Sequence, residues 1–300
     1  MLRRSLVVVV LGALATAGCG ALPASAMPHG VRVVAAESFW GAIARELGGA
    51  RAQVQSLVFS PAQDPHSYEP TAADARTMAT AQLAIVNGVG YDPWAPKLLA
   101  ADPADGRQVL TVGSLLGLRA GDNPHRWYDP GDVRRVAAAI TGRLQRLDPR
   151  HSSYYARRQG RFTSVALAGY DRLLTSIRRR YAGVAVGASE SIFALLAPAL
   201  GLRLITPPTF MRATAEGSEL TAQDTAAVER QITTRAIAVW VVNAQNLTPE
   251  IQRCQQLARA QGIPIVSVTE TLFPPTASFE QWQIAQLRRL AAALHRATGR

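Results

Sequence analysis

Three hundred residues, 48% hydrophobic and 18% charged, suffice for two cores of ordinary domain size. The formal charge of +11 invites a nucleic-acid reading, but its distribution argues against one: 12 arginines and three aspartates lie between Asp132 and Arg180, with no zinc-finger, aromatic RNA-binding or glycine-rich phosphate motif beside them. Two cysteines, Cys19 and Cys254, leave no disulfide framework once Cys19 is used at the N-terminus.

In chain order, Met1-Leu2-Arg3-Arg4 precedes an apolar run over 6–17. Roughly a dozen apolar residues after two arginines form an export signal, too short for a spanning helix of about 20. Ala17-Gly18-Cys19 resembles a lipoprotein cleavage site, with Thr16 where an aliphatic residue is usual. Ala24-Ser25-Ala26 offers a rival cleavage site before Met27. Residues 1–26 are thus read as signal and linker, ending either in a lipid anchor at Cys19 or in release after Ala26.

Strands are predicted over 31–36, 54–58 and 83–86, and helices over 37–47 and 71–80. Thr71-Ala72-Ala73-Asp74 resembles a capping box with Asp in place of Glu or Gln. From Asp132 a helical period runs to Arg180, interrupted near Asp148-Pro149. Phe162, Val165, Ala166, Leu173 and Ile177 mark its apolar face, and the arginines its solvated face. The second half shows strands over 184–186, 202–205, 237–242 and 265–268, and helices over 190–200, 221–234, 249–261 and 279–297. Cys254 reads as a small core residue on one of these helices. Alternation of this kind, twice over, predicts an α/β fold of two lobes with mostly parallel sheets, 31–148 and 182–300, with the long helix over 149–181 between them.

Of five histidines, two lie in loops with a proline on each side, in Asp64-Pro65-His66-Ser67-Tyr68-Glu69-Pro70 and in Asn123-Pro124-His125-Arg126-Trp127-Tyr128-Asp129-Pro130. Proline fixes its own φ and biases the preceding residue toward extended geometry. Each loop therefore presents an exposed imidazole with little entropy left to lose on binding a metal. His29, in the stretch after the signal, His151, near a helix start, and His295, in the terminal helix, are read as non-ligands. In an open α/β sheet the crevice lies beyond the carboxyl ends of the strands. His66, His125, Glu190 and Glu270 all fall in predicted strand-to-helix loops, two from each half. The competing readings are structural loop histidines and, for Glu190, an acid complementing a helix dipole, an effect of about 0.3–1 kcal/mol.

These two loops, with Asn87-Gly88-Val89-Gly90-Tyr91-Asp92-Pro93-Trp94 between them, resemble the solute-binding proteins of zinc and manganese ABC importers, a likeness running from about Val31 to the C-terminus. The resemblance implies two α/β lobes joined by a connecting helix, with a metal site in the interlobe cleft. It implies the ligands His66, His125 and Glu190, the last in Ser189-Glu190-Ser191-Ile192-Phe193. The family usually has aspartate in its last loop. This chain has none after Asp224, so Glu270 is the nearest acid, with water or Glu280 as rivals. Tyr68, Glu69, Trp127 and Asp129 are candidates for supporting the ligands or for packing alone.

The function implied is that of a monomeric exported protein, lipid-anchored or else secreted or periplasmic. It captures Zn2+ or Mn2+ as transported ligand and delivers it to an ABC importer permease. It is not an enzyme and has no nucleic-acid partner. Two other classes stand beside it. A secreted metalloenzyme, for instance a hydrolase, needs an open coordination position and a general base, for which four ligands leave little room. A binding protein for chelated iron or a corrin does not need this ligand set. Glutamate at 190, where many zinc-type relatives have histidine, leans toward manganese, as does the lack of a His-rich loop between Thr111 and Asn123. The Irving–Williams order favours zinc in vitro.

Overall fold

A computed structural model of the chain describes residues 30–300 apart from 61, 63 and 64, and not the side chain of His66. The export signal, Cys19, the Ala24-Ser25-Ala26 site and His29 lie outside the described residues.

The first lobe is built on β1 (Val31–Glu37), β2 (Ala52–Val58), β3 (Leu83–Val86) and β4 (Gln108–Thr111), in the order β2-β1-β3-β4. The second repeats that order with β5 (Ala185–Ala188), β6 (Arg203–Leu204), β7 (Trp240–Asn243) and β8 (Ile265–Val268), as β6-β5-β7-β8. Every pairing is parallel. Central β1, β3 and β7 are buried along almost their whole length because helices cover both faces, whereas edge strand β2 alternates. In each sheet the chain moves to one side of the first strand and then crosses to the other. A crevice therefore opens at the carboxyl ends of β1 and β3, and of β5 and β7.

The first-lobe helices are α1 (Ser38–Gly48), α2 (Ala72–Ala79), α3 (Trp94–Ala101), α4 (Val112–Leu116) and α5 (Pro130–Leu147). The predicted capping box at α2 is present: the Thr71 side chain accepts from Asp74 N, and the Asp74 carboxylate accepts from Thr71 N at 2.7 Å. Asp129 caps α5, accepting from Gly131 N and Asp132 N, with Pro130 in the first turn. A long helical run then crosses the molecule as α6 (Ser152–Arg161), a π turn (Phe162–Ala166) and α7 (Ala168–Tyr181). Those 30 residues span roughly 45 Å at 1.5 Å each.

The π turn corrects one expectation. The buried positions of the whole run are Tyr155, Phe162, Leu167, Tyr170, Leu174, Ile177 and Tyr181, with a step of five between Phe162 and Leu167. That extra residue rotates Val165 off the core face, and it is 63% exposed. The arginines Arg157, Arg161, Arg172 and Arg178 to Arg180 are exposed, as read from the sequence.

The second lobe adds α8 (Leu196–Ala199), α9 (Pro208–Ala215), α10 (Ala222–Thr233), α11 (Pro249–Ala260) and α12 (Phe279–Thr298). The helix predicted over 190–200 does not form. Pro198 lacks an N–H and would clash with the carbonyl four residues back, so the segment breaks into a 3₁₀ turn (Ser191–Phe193) and the short α8. The strand predicted over 237–242 is confined to β7. The sequence reading lacks α3, β4, α4 and α9. Cys254 is a buried, free core residue of α11, its thiol pushed up to about 11 by burial.

The lobes are packed together rather than merely tethered. One apolar cluster contains Phe39, Trp127 and Tyr128 with Leu272, Phe279 and Trp282. Phe39 stacks on Trp127 at 3.7 Å between ring centroids, and Tyr128 meets Trp282 edge-on at 6.0 Å. The Tyr128 hydroxyl lies 2.9 Å from the Thr269 carbonyl oxygen. The fold also holds two acid pairs, one buried and one half-buried. Glu37, ending β1, faces Asp92, whose carboxylate accepts from Asn87 N and Gly88 N at 2.7 Å each. The two carboxyl groups hydrogen-bond to each other when Glu37 holds a proton. Burial, then Asp92, pushes its carboxyl well above the usual range. Similarly, burial and the facing Glu280 push Glu46 up to about 8.

Candidate metal centre

His125 lies in the loop between α4 and α5 rather than directly after a strand, and it is fully buried rather than exposed. Its ring packs edge-on against Tyr91 and Trp127, with centroids 5.9 and 5.2 Å away. The neighbouring Asn123 orients it. Asn123 Nδ2 donates to the Ser191 carbonyl at 2.7 Å, so Asn123 Oδ1 is left as the acceptor for His125 N at 3.0 Å and Nδ1 at 2.9 Å. Nδ1 therefore carries the ring proton, and Nε2 presents its lone pair inward.

Glu190 follows β5 with extended backbone (φ −154°, ψ 163°) and precedes a 3₁₀ turn. No α-helix starts there, so the helix-dipole reading of this residue fails. Its Oε2 accepts from Asn243 Nδ2 at 2.9 Å and Asn246 Nδ2 at 3.2 Å, and its Oε1 lies 3.4 Å from His125 Nε2. Glu270 follows β8. Its Oε1 accepts from Asn243 Nδ2 at 2.7 Å, and its Oε2 accepts from the Tyr91 hydroxyl at 2.5 Å and stands 3.9 Å from His125 Nε2. Burial, then the charge of Glu270, raises the Tyr91 phenol well above its ordinary value, which keeps it a donor.

His125, Glu190 and Glu270 are fully buried, and each offers a ligand atom within 4.8 Å of the others. One imidazole nitrogen and two carboxylate oxygens form a donor set for a divalent transition metal. Asn243, Asn246 and Tyr91 hold the carboxylates through neutral donors, which orient them without cancelling their charge. The donor chemistry fits a dication. His66 lies in a 3₁₀ turn, Pro65–Ser67, and its side chain is outside the described groups.

The rival Glu280 sits on α12 against Glu46, away from this cluster. His151 pairs with Asp148 at 2.8 Å, and His295 lies on α12 near the Arg300 carbonyl. Tyr68 donates to Asp74 at 2.8 Å and packs on Trp94, while Glu69 is exposed. Trp127 packs, and Asp129 caps α5.

Residues the sequence reading passed over do much of the holding. Tyr91 is aimed by a turn in which Gly88, Val89 and Gly90 have φ of 75°, 58° and 79°. Left-handed backbone is costly for a β-branched residue. The Asp92 carboxylate on Asn87 N and Gly88 N, and Trp40 Nε1 on Asn87 Oδ1 at 3.0 Å, hold the turn. Asn243 had one available signal, a polar residue ending a buried strand at the switch point of its sheet. An interlobe cavity of about 390 Å³, lined among others by Val89, Tyr91, Asn123, Ser191 and Met211, borders the site.

The family described as zinc-uptake complex component A, periplasmic, matches residues 33–293. This chain belongs to the zinc-uptake complex component A family. Among curated relatives, the manganese-binding lipoprotein MntA of Halalkalibacterium halodurans is 30% identical over 153 residues, 49% of this chain and 51% of that protein. The iron-binding protein YfeA of Yersinia pestis is 30% identical over 121 residues, 38% of this chain and 39% of that protein. The matched stretch thus spans about half the length of the first relative and less of the second. Among solved structures, a periplasmic metal binding protein from Candidatus Liberibacter asiaticus superposes with a TM-score of 0.71 at 19% identity, over 88% of this chain and 99% of that one. FpvC from Pseudomonas aeruginosa, in complex with Mn2+, gives 0.72 at 19%, over 89% and 99%. At that identity the two structures establish a shared fold. These solved structures therefore share with this chain the two-lobed parallel α/β architecture.

Proposed function

We propose that this chain captures one divalent transition-metal cation, zinc or manganese, outside the cytoplasm and hands it to the permease of an ABC importer. The observation that carries this reading is the convergence of His125 from one lobe with Glu190 and Glu270 from the other within 4.8 Å. His66, in the first-lobe loop after β2, is proposed as the fourth ligand. Residues 31–148 and 182–300 serve as the lobes that share the cation, and 149–181 as a rigid spacer. Family membership supports the transport role, and the manganese named for MntA and FpvC supports the cargo class. The interlobe cavity is the proposed approach to the buried ligands. A hydrolase would need a coordination position left open to substrate, and ligands drawn from both lobes argue for binding instead.

Dialysed against zinc or manganese at pH 7.5, the purified protein is expected to retain one equivalent, with zinc displacing manganese in competition. Metal content indistinguishable from a buffer blank would end the proposal, and metal-dependent turnover of ester or peptide substrates would favour the enzyme. Among the described residues no helix is long and apolar enough to cross a membrane. We propose attachment through lipidated Cys19, since several acyl chains anchor stably where one does not. Wild type should then fractionate with membranes and Cys19→Ala should not; a mature chain starting at Met27 would refute the anchor.

A further inference from the structure

Glu190 and Glu270 leave two different strands, and something must decide which oxygen each turns toward the cation. Asn243 Nδ2 has two protons, and it donates to Glu190 Oε2 at 2.9 Å and Glu270 Oε1 at 2.7 Å. The other oxygens, Glu190 Oε1 and Glu270 Oε2, are those standing 3.4 and 3.9 Å from His125 Nε2. The amide itself has a fixed sense. Gln245 N donates to Asn243 Oδ1 at 3.0 Å, which places the NH2 group on the carboxylate side. Its backbone is fixed as well, because Asn243 N donates to Ser189 Oγ at 3.1 Å and the residue pairs with Val268 at the end of β8. Asn243 is fully buried.

Resting on the cation site proposed above, we propose that Asn243 is a positioning residue that commits each glutamate to the cation through a single oxygen. A lysine or arginine at this place would oppose an incoming dication, and an acid would add a third like charge. A neutral amide aligns both carboxylates while leaving their charge for the cargo. Single-oxygen carboxylates with imidazole nitrogens suit a low coordination number, as zinc takes. Two-oxygen carboxylates suit larger cations that gather six or more oxygens. The clamp therefore biases the site toward zinc over manganese, against the lean that glutamate at 190 gives.

Groups that hold metal ligands in place commonly change metal affinity by about 10–100-fold when removed. Asn243→Leu keeps roughly the volume and removes both donors. Asn243→Asp keeps the shape and the acceptor for Gln245 N, and decides the matter should the leucine variant fail to fold. Zinc affinity is expected to fall about 10–100-fold in Asn243→Leu, with manganese affinity falling less; in Asn243→Asp, whose added charge attracts both dications, the effect is read from the ratio of the two affinities. The zinc-to-manganese affinity ratio from competition titration should drop accordingly, and X-ray absorption on the bound metal should show more oxygen neighbours than in wild type. An unchanged ratio and coordination number in a folded variant would overturn the proposal. So would a wild-type zinc complex with both glutamates bound through two oxygens. Failure of wild type to bind either metal would instead remove the underlying site.

Discussion

Replacing His66 and His125 together by alanine is expected to reduce retained metal from one equivalent to near zero. Structural zinc sites bind with about 10–16 kcal/mol shared among four ligands. Loss of one ligand is then worth roughly 3 kcal/mol, more than a hundred-fold in affinity, and loss of both nitrogens removes the donors that favour a transition metal over calcium or magnesium. His125→Ala alone isolates the proposed ligand that lies in the cluster. His66→Ala isolates the one inferred from its proline-braced loop. His125 packs between Tyr91 and Trp127, so the variants must be shown to melt cooperatively before their metal content is read. Unchanged stoichiometry in the folded double variant would exclude these histidines as ligands.

Much of the architecture was legible because its central strands are buried on both faces and read as apolar runs, as in Leu83-Ala84-Ile85-Val86 and Trp240-Val241-Val242. The capping box at Thr71 and the proline break after α5 were legible because local chemistry alone specifies them. By contrast, β4 is an edge strand whose Gln108-Val109-Leu110-Thr111 carries little apolar signal, and it forms by pairing with β3. Local periodicity could not reveal the π turn, since the one-residue slip at Phe162 is imposed by packing. The cluster His125, Glu190 and Glu270 could be named from loop positions and resemblance. The burial of His125 and the roles of Asn243, Asn123 and Tyr91 could not, because hydrogen bonds such as Tyr91 to Glu270 join residues 179 apart.

Metal should also stabilise the fold, with a pH dependence opposite in sign to that of the buried acids. A ligand that binds the folded state alone, at about 100 times its dissociation constant, adds about 2.7 kcal/mol, or roughly 5–10 °C in Tm for a chain of this size. Binding needs a neutral imidazole, and an ordinary imidazole takes up a proton near pH 6.5. The metal increment should therefore be full at pH 7.5 and shrink below about pH 6. Glu46 runs the other way. Its folded-state carboxyl is pushed up to about 8 from an ordinary 4.5 by burial and Glu280. A raised carboxyl contributes stability that is complete below the unfolded value and is lost as pH rises through the folded one. Its contribution should therefore decline between about pH 4.5 and 8 whether or not metal is present, and Glu37, also raised, should decline in the same direction. Melting curves with zinc, with manganese and with chelator across pH 5–8 separate the two effects. The gap between metal and chelator curves should widen with pH, while Glu46→Gln should flatten both curves and leave the gap intact. A melt insensitive to both metals at pH 7.5 would contradict a buried cation site, and a gap that narrowed with rising pH would show that histidine is not among its ligands.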